Sequence, residues 1–156
     1  MPIRNPADLL ISLAPQQRAM GLDVGEKTIG IAVSDTTFSI ATPVETLRRK
    51  KFAADAERVK ALVGRHNVGA FVVGLPINMD GSEGPRCQSV RAFANNLLAK
   101  LDLPLTFWDE RLSTAAVTRT MLEADLSRAR RAELVDKLAA AYILQGFLDR
   151  HKSRAV

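Results

Sequence analysis

Ala19-Met20-Gly21-Leu22-Asp23-Val24, the short link Gly25-Glu26-Lys27-Thr28, and Ile29-Gly30-Ile31-Ala32-Val33-Ser34 form the stretch that decides the fold. Two apolar, strand-like runs joined by a Gly-containing link of hairpin length predict an antiparallel pair. A third run, Ile40–Leu47, follows the turn residues Asp35-Thr36-Thr37 and extends the pair into a meander. Asp23 stands inside the first of these runs, where a carboxylate costs several kcal/mol unless a cation or hydrogen-bond donors satisfy it.

Downstream the period changes. Phe52, Ala56, Val59, Leu62 and Val63 recur at helical spacing up to His66, and Asn67-Val68-Gly69 ends that element. Ala70-Phe71-Val72-Val73-Gly74 is a continuous apolar run, the pattern of a strand covered on both faces. A Pro- and Gly-containing loop, Leu75–Gly84, leads to a helix pattern from about Arg86 to Lys100. Pro104-Leu105-Thr106-Phe107-Trp108 reads as a short strand ending at Asp109-Glu110, and Ser113 is placed to cap a helix through Ala124. The last helix is expected from about Arg131 to Arg150. A meander followed by alternating helices and strands predicts an α/β domain: a five-stranded mixed sheet with helices on both faces. Its first, fourth and fifth strands would be parallel, with ligands bound outside their carboxyl ends.

Upstream, residues 1–18 read as an extension carrying a short helix, with Asp8 able to cap it, ahead of a domain over 19–150 and a tail over 151–156. The extension's apolar segment is too short for the core of a signal peptide, and no run approaches the ~18 apolar residues that span a membrane. A cytoplasmic protein without membrane contact is expected. The whole chain, 156 residues, is of single-domain size. Its 22 basic residues outnumber 17 acidic ones, giving +5 and a pI near 9.8. With several acids drawn into one site the remaining surface is more basic still, which favours a polyanionic partner. Cys87 is the only cysteine, so neither an internal disulfide nor a thiolate zinc site can form. His66 and His151 are too few and too far apart for a histidine metal site and receive no role.

Three carboxylates remain as candidate metal ligands. Asp23 is followed by Gly25, which lets the backbone turn sharply and a phosphate or ion approach. Asp109-Glu110-Arg111 follows a strand, where adjacent acids point to opposite sides, so Glu110 is assigned to the site and Asp109 to support or to pairing with Arg111. Asp136 lies in the helical run Leu134-Val135-Asp136-Lys137-Leu138-Ala139-Ala140-Ala141, roughly in line with Ala140 and Ile143, on a face whose small residues allow close approach to a sheet. Lys27, Arg111 and the run Arg128, Arg130, Arg131 are the candidate phosphate-binding cations. Basic segments beside an acidic site suit a nuclease, in which cations hold the backbone while the acids hold ions.

Four ordered motifs carry a family resemblance: Gly21-Leu22-Asp23-Val24-Gly25-Glu26-Lys27 to Ser34-Asp35, Val72-Val73-Gly74-Leu75-Pro76, Asp109-Glu110-Arg111-Leu112-Ser113-Thr114, and Asp136 to Gln145. Over about residues 19–149 the chain resembles the YqgF/RuvX family, candidate pre-16S rRNA nucleases once described as Holliday junction resolvases. The resemblance implies an RNase H-like fold and a metal-dependent phosphodiesterase with Asp23, Glu110 and Asp136 as catalytic and metal-holding residues. The family often has Lys-Arg where this chain has Lys27-Thr28, so a phosphate contact by the second residue does not follow.

The mechanism expected is two-metal hydrolysis, Asp23 bridging two Mg²⁺ or Mn²⁺ ions about 3.5–4 Å apart with Glu110 and Asp136 each completing one shell. Precursor 16S rRNA is the favoured substrate and the ribosome a candidate partner, and the protein is expected to be a monomer or weak homodimer. Branched DNA is the alternative; its resolution needs two sites on opposed strands, hence a dimer. Two other classes stay open: a sugar-kinase or actin-like ATP-binding protein, which needs two such domains, and a nucleic-acid-binding regulator without catalysis.

Overall fold

The structure, a computed structural model, describes residues 3–112 and 128–151, with side chains along the final helix described from Asp136 onward. A short helix α1 (Pro6–Leu9) precedes β1 (Arg18–Val24), β2 (Thr28–Ser34) and β3 (Ala41–Arg48). Then come α2 (Phe52–His66), β4 (Val68–Leu75), α3 (Pro85–Lys100), β5 (Leu105–Asp109), a 3-10 turn at Glu110–Leu112, and α4 (Arg128–His151). The sheet runs β3-β2-β1-β4-β5. β1 to β3 pair antiparallel, and β4 and β5 join β1 in parallel, as the meander and the strand–helix alternation require.

Side-chain alternation splits the sheet into two unlike faces. Met20, Leu22, Ile29, Ile31, Phe71 and Val73 point to one face, where α2 and α3 contribute Val59, Leu62, Val90, Phe93 and Leu97. The opposite face is built from small residues, Ala19, Ala32, Ala70 and Val72, against the Ala139–Leu148 part of α4. Large side chains therefore fill the space under two helices, while small ones bring a single helix close to the strands. α4 lies across β1, β2 and β3.

Boundaries differ from the sequence reading in places with a physical cause. β4 begins at Val68, two residues before the apolar run, because Asn67 caps α2 with a left-handed backbone (φ 52°) that turns the chain straight into the strand. α4 begins at Arg128, one turn before the expected Arg131. The cap position of α1 is Asn5, not Asp8, and no side chain bonds the amides there. The helix expected from Ser113 through Ala124 lies outside the described residues. Among those described, no helix is long and apolar enough to cross a membrane.

The N-terminal segment is packed, not pendant. Ile3 bridges to Leu105 in parallel, the Arg4 amide donates to the Leu105 carbonyl at 2.7 Å, and the Thr106 hydroxyl donates to the Arg4 carbonyl at 2.9 Å. These bonds cover part of the outer edge of β5, which would otherwise offer unpaired backbone groups to another chain. Leu9 and Leu10 are buried in the same cluster as Trp108 and Phe147. Leu9→Ala should therefore lower stability by about 2–5 kcal/mol. A urea midpoint unchanged from wild type would show that the segment adds nothing to the core.

Candidate active site

Asp23 is the second-last residue of β1 and points to the small-residue face, 5% exposed. Its partner across β2 is Gly30. On the other side Leu22 pairs with Val73, which sets Gly74 of β4 beside Asp23. The carboxylate is thus flanked on both neighbouring strands by residues without side chains. Other groups occupy the space so freed. A methyl built on Gly30 would overlap the backbone carbonyl of Asp136; one built on Gly74 would meet the Ile143 Cδ1 at 2.5 Å and the Glu110 Cγ and Oε2 at 3.2 Å. Further along, Ala140 O and Leu144 Cβ would lie 2.9 and 2.8 Å from a methyl on Gly21. Glycine at 21, 30 and 74 is what allows α4 to rest on the strands beside Asp23.

That descent delivers Asp136. Its Oδ2 accepts a hydrogen bond from the Thr28 hydroxyl at the start of β2, which fixes the carboxylate relative to the sheet. Asp23, Gly25, Glu26, Lys27, Thr28, Arg86 and Asp136 line one open cleft of about 460 Å³ at the carboxyl end of β1. Two of the three expected acids therefore share a cavity. Glu110 stands in the turn after β5 with its side chain over Gly74, on the same face of the sheet but not in the cleft lining. Among the described residues, no three acidic, histidine or cysteine side chains are grouped closely enough to hold one ion together. The donors are all oxygen, the chemistry that Mg²⁺ and Mn²⁺ prefer, so the residue types fit those ions.

The candidate cations fall into three groups. Lys27 is exposed at the hairpin and lines the cleft. Arg111 is turned to its own strand: its Nη2 donates to Asp109 Oδ2 at 2.7 Å, its Nε reaches both Asp109 oxygens at 3.0–3.1 Å, and its Nη1 lies 3.4 and 3.5 Å from the carbonyls of Asn78 and Met79. This is the Asp109 pairing read from the sequence, and it ties the end of β5 to the loop after β4. The Arg111 hydrogen bonds hold the Asp109 carboxyl below its ordinary range, against the opposing effect of burial. Arg128, Arg130 and Arg131 belong to the first turn of α4, and their side chains lie outside the described residues.

Sequence reasoning missed Arg86 and the part played by Thr28. Arg86 opens α3 and enters the cleft through tertiary packing alone. Thr28 was legible in principle, since Thr28, Gly30, Ala32 and Ser34 alternate with the buried apolar residues of β2 and share the face of Asp23. Cys87 is buried outside the cleft lining, and burial pushes its thiol pKa up. His66 closes α2, and His151 packs edge-on to Trp108 at 5.8 Å; neither lines the cleft.

A family model described as RuvX, Holliday junction resolvase, matches residues 17–150. A protein of Paramagnetospirillum magneticum, named as a candidate pre-16S rRNA nuclease, is 64% identical over 149 residues, 96% of this chain and 96% of that one. A protein of Roseobacter denitrificans with the same name is 59% identical over 152 residues, covering 96% and 93%. Among solved structures, Thermus thermophilus RuvC in complex with Holliday junction substrate matches with a TM-score of 0.54 at 16% identity, covering 86% of this chain and 95% of that one. The yeast mitochondrial Holliday junction resolvase Ydc2 matches with a TM-score of 0.53 at 12% identity, covering 96% and 85%. At such identities the likeness speaks for the fold, an RNase H-like mixed sheet with its helices.

Two outcomes test this geometry. Gly30→Ala should cost about 1–3 kcal/mol or more, because the new methyl must push the Asp136 carbonyl and α4 off the sheet. An unchanged melting temperature would contradict the close contact. Arg111→Met should raise the Asp109 carboxyl toward its ordinary value, followed by carboxyl NMR through an acid titration. With the folded pKa depressed, the stability linked to this pair is present at neutral pH and lost as the pH falls through the folded value; an Asp109 titration unaffected by Arg111→Met would refute the pairing.

Proposed function

We infer that this chain, which belongs to the RuvX family, is a nuclease that hydrolyses phosphodiester bonds in the cleft shared by Asp23 and Asp136. The observation that carries the reading is the meeting of those two carboxylates, from β1 and α4, beside the cations of Lys27 and Arg86. A cleft that sets a buried carboxylate, Asp23, beside exposed cations suits a polyanion whose phosphorus centre must be approached by a nucleophile. Family membership sets aside the sugar-kinase and actin-like alternative.

Asp23, Glu110 and Asp136 are the residues that would hold Mg²⁺ or Mn²⁺, with two ions proposed. Bound there, such ions would make water more acidic and neutralise charge on the reacting phosphoryl oxygens. The protein's own share is orientation. Thr28 holds the Asp136 carboxylate, Gly30 and Gly74 bring α4 and Glu110 close to Asp23, and Lys27 and Arg86 draw the phosphodiester into the cleft. In the hydrolysis, a water oxygen bonds to phosphorus, the bond to one ribose or deoxyribose oxygen breaks, and that oxygen leaves with a proton.

The substrate proposed is precursor 16S rRNA, trimmed at its 5′ end in the cytoplasm, in association with the ribosome, by a monomer or weak homodimer. The names of the similar proteins support it. A second reading, resolution of four-way DNA junctions, is favoured by the description of the matched family.

Labelled precursor 16S RNA and a labelled four-way junction, incubated side by side with Mg²⁺ or Mn²⁺, distinguish the two. RNA cut by wild type but not by Asp23→Asn or Asp136→Asn supports the rRNA reading; symmetric junction cutting supports the second. Chelation by EDTA should abolish either activity. Cleavage retained by a well-folded Asp23→Asn protein would sink the site assignment. Thr28→Val should lower kcat about 10-fold or more by releasing Asp136, whereas Thr28→Ser, which keeps the hydroxyl, should restore it.

A further inference from the structure

Arg48-Arg49-Lys50-Lys51 closes β3 and leads into α2. Four consecutive cations repel one another and are ordinarily left to solvent. Here one of them locks the backbone. The Arg49 Nη1 donates to the Gly25 carbonyl at 2.7 Å, its amide donates to the Lys27 carbonyl at 2.9 Å, and its guanidinium lies 5.2 Å from the centre of the Phe93 ring. Gly25 and Lys27 belong to the hairpin that lines the acidic cleft. The Lys50 amide donates to the buried Asp55 Oδ1 at 3.0 Å, which fixes the other side of the corner.

The remaining three cations are exposed, and among the described residues none has a carboxylate within ion-pair distance. Arg48 is the register partner of Thr28. Opposed residues of an antiparallel pair share a face, with Cβ atoms about 4.5–5.5 Å apart. The Thr28 hydroxyl in turn holds Asp136. Arg48 thus stands one strand outward from the Thr28 wall of the cleft, on its side of the sheet, with Lys27 on the hairpin and Lys50 and Lys51 following at the corner that leads into α2. The acids facing these cations are Asp23, the exposed Glu26 and the Thr28-bonded Asp136 in the cleft lining, and Asp55, buried beneath the corner.

We propose that Arg48, Lys50 and Lys51, on the corner locked by Arg49, form with Lys27 a grip for the sugar-phosphate backbone of a nucleic acid entering the cleft. The assignment rests on the nuclease reading of that cleft. A cation track on fixed backbone loses less freedom on binding than the same charges on a loose loop, and its Arg48 and Lys27 stand beside the Thr28 wall of the cleft.

The test measures binding apart from cleavage. In an Asp23→Asn background, a labelled single-stranded RNA and a labelled four-way DNA junction are titrated by fluorescence anisotropy between 50 and 200 mM salt. The triple variant Arg48→Gln/Lys50→Gln/Lys51→Gln is compared with Lys60→Gln/Arg65→Gln/Lys100→Gln, which removes equal charge from exposed positions on α2 and α3. Circular dichroism melts establish that both triples are folded. The grip requires the corner triple to weaken binding about 10-fold or more at 0.1 M salt and to reduce the slope of log K against log salt by about 2, with the control close to the parent. Equal losses in the two triples, or unchanged affinity in the corner triple, would overturn it. Cleavage assays of otherwise wild-type protein separate the two claims. Corner-dependent binding by a protein that cuts neither substrate would support the grip and fail the nuclease reading; Asp23-dependent cutting with corner-independent binding would do the reverse.

Discussion

The contact on which the rest depends is the seating of α4 over glycines of three strands, where no strand side chain intervenes. Gly21, Gly30 and Gly74 leave no Cβ on the face of β1, β2 and β4 that carries Asp23, and the helix backbone and its flanking side chains occupy the space. A glycine in a strand weakens it, by lost packing and by entropy in the unfolded chain. Here that cost is offset by burial of Ala140, Ile143 and Leu144 against the sheet. The same contact fixes where Asp136 can be, because its own carbonyl lies over Gly30. Packing and site geometry are therefore one interaction, and neither can be altered alone.

Charge is arranged around that contact in layers. Asp23 is buried in the cleft and Glu26, Lys27 and Arg86 are exposed around it, while Arg111 and Arg49 serve the scaffold: one binds Asp109, the other holds the β1–β2 hairpin. Arginine suits both scaffold tasks, since its several donors in a planar fork can meet two acceptors at once. An excess of basic residues in the composition thus says little about which of them meet a polyanion. That depends on which are already bonded to the protein.

Much of the architecture was legible from periodicity. The two strands around Gly25–Thr28, the helical spacing from Phe52, the apolar run at Ala70–Gly74 and the final helix with its small-residue face place the elements and give the mixed sheet. Asp23 and Asp136 could be singled out because a carboxylate inside an apolar segment is costly, and Asp109 could be matched to Arg111 by their proximity in sequence. Boundaries were less legible. Nothing local shows that Asn67 adopts a left-handed backbone and passes the chain directly from α2 into β4, or that Ile3 and Arg4 join the edge of β5.

The sequence by itself determined the order of elements, the faces they bury and the presence of a carboxylate, Asp23, inside a buried strand, because these follow from alternation and helical period within single segments. Only the tertiary structure decided which distant groups meet. Thr28 and Asp136 are 108 residues apart and bond because three glycines let a helix descend. Arg86 enters the cleft because α3 starts there, and Glu110 lies over Gly74 instead of in the cleft lining because its strand is one place further from β1. Such meetings depend on strand order and on the closeness of layers, quantities that no local window of sequence contains.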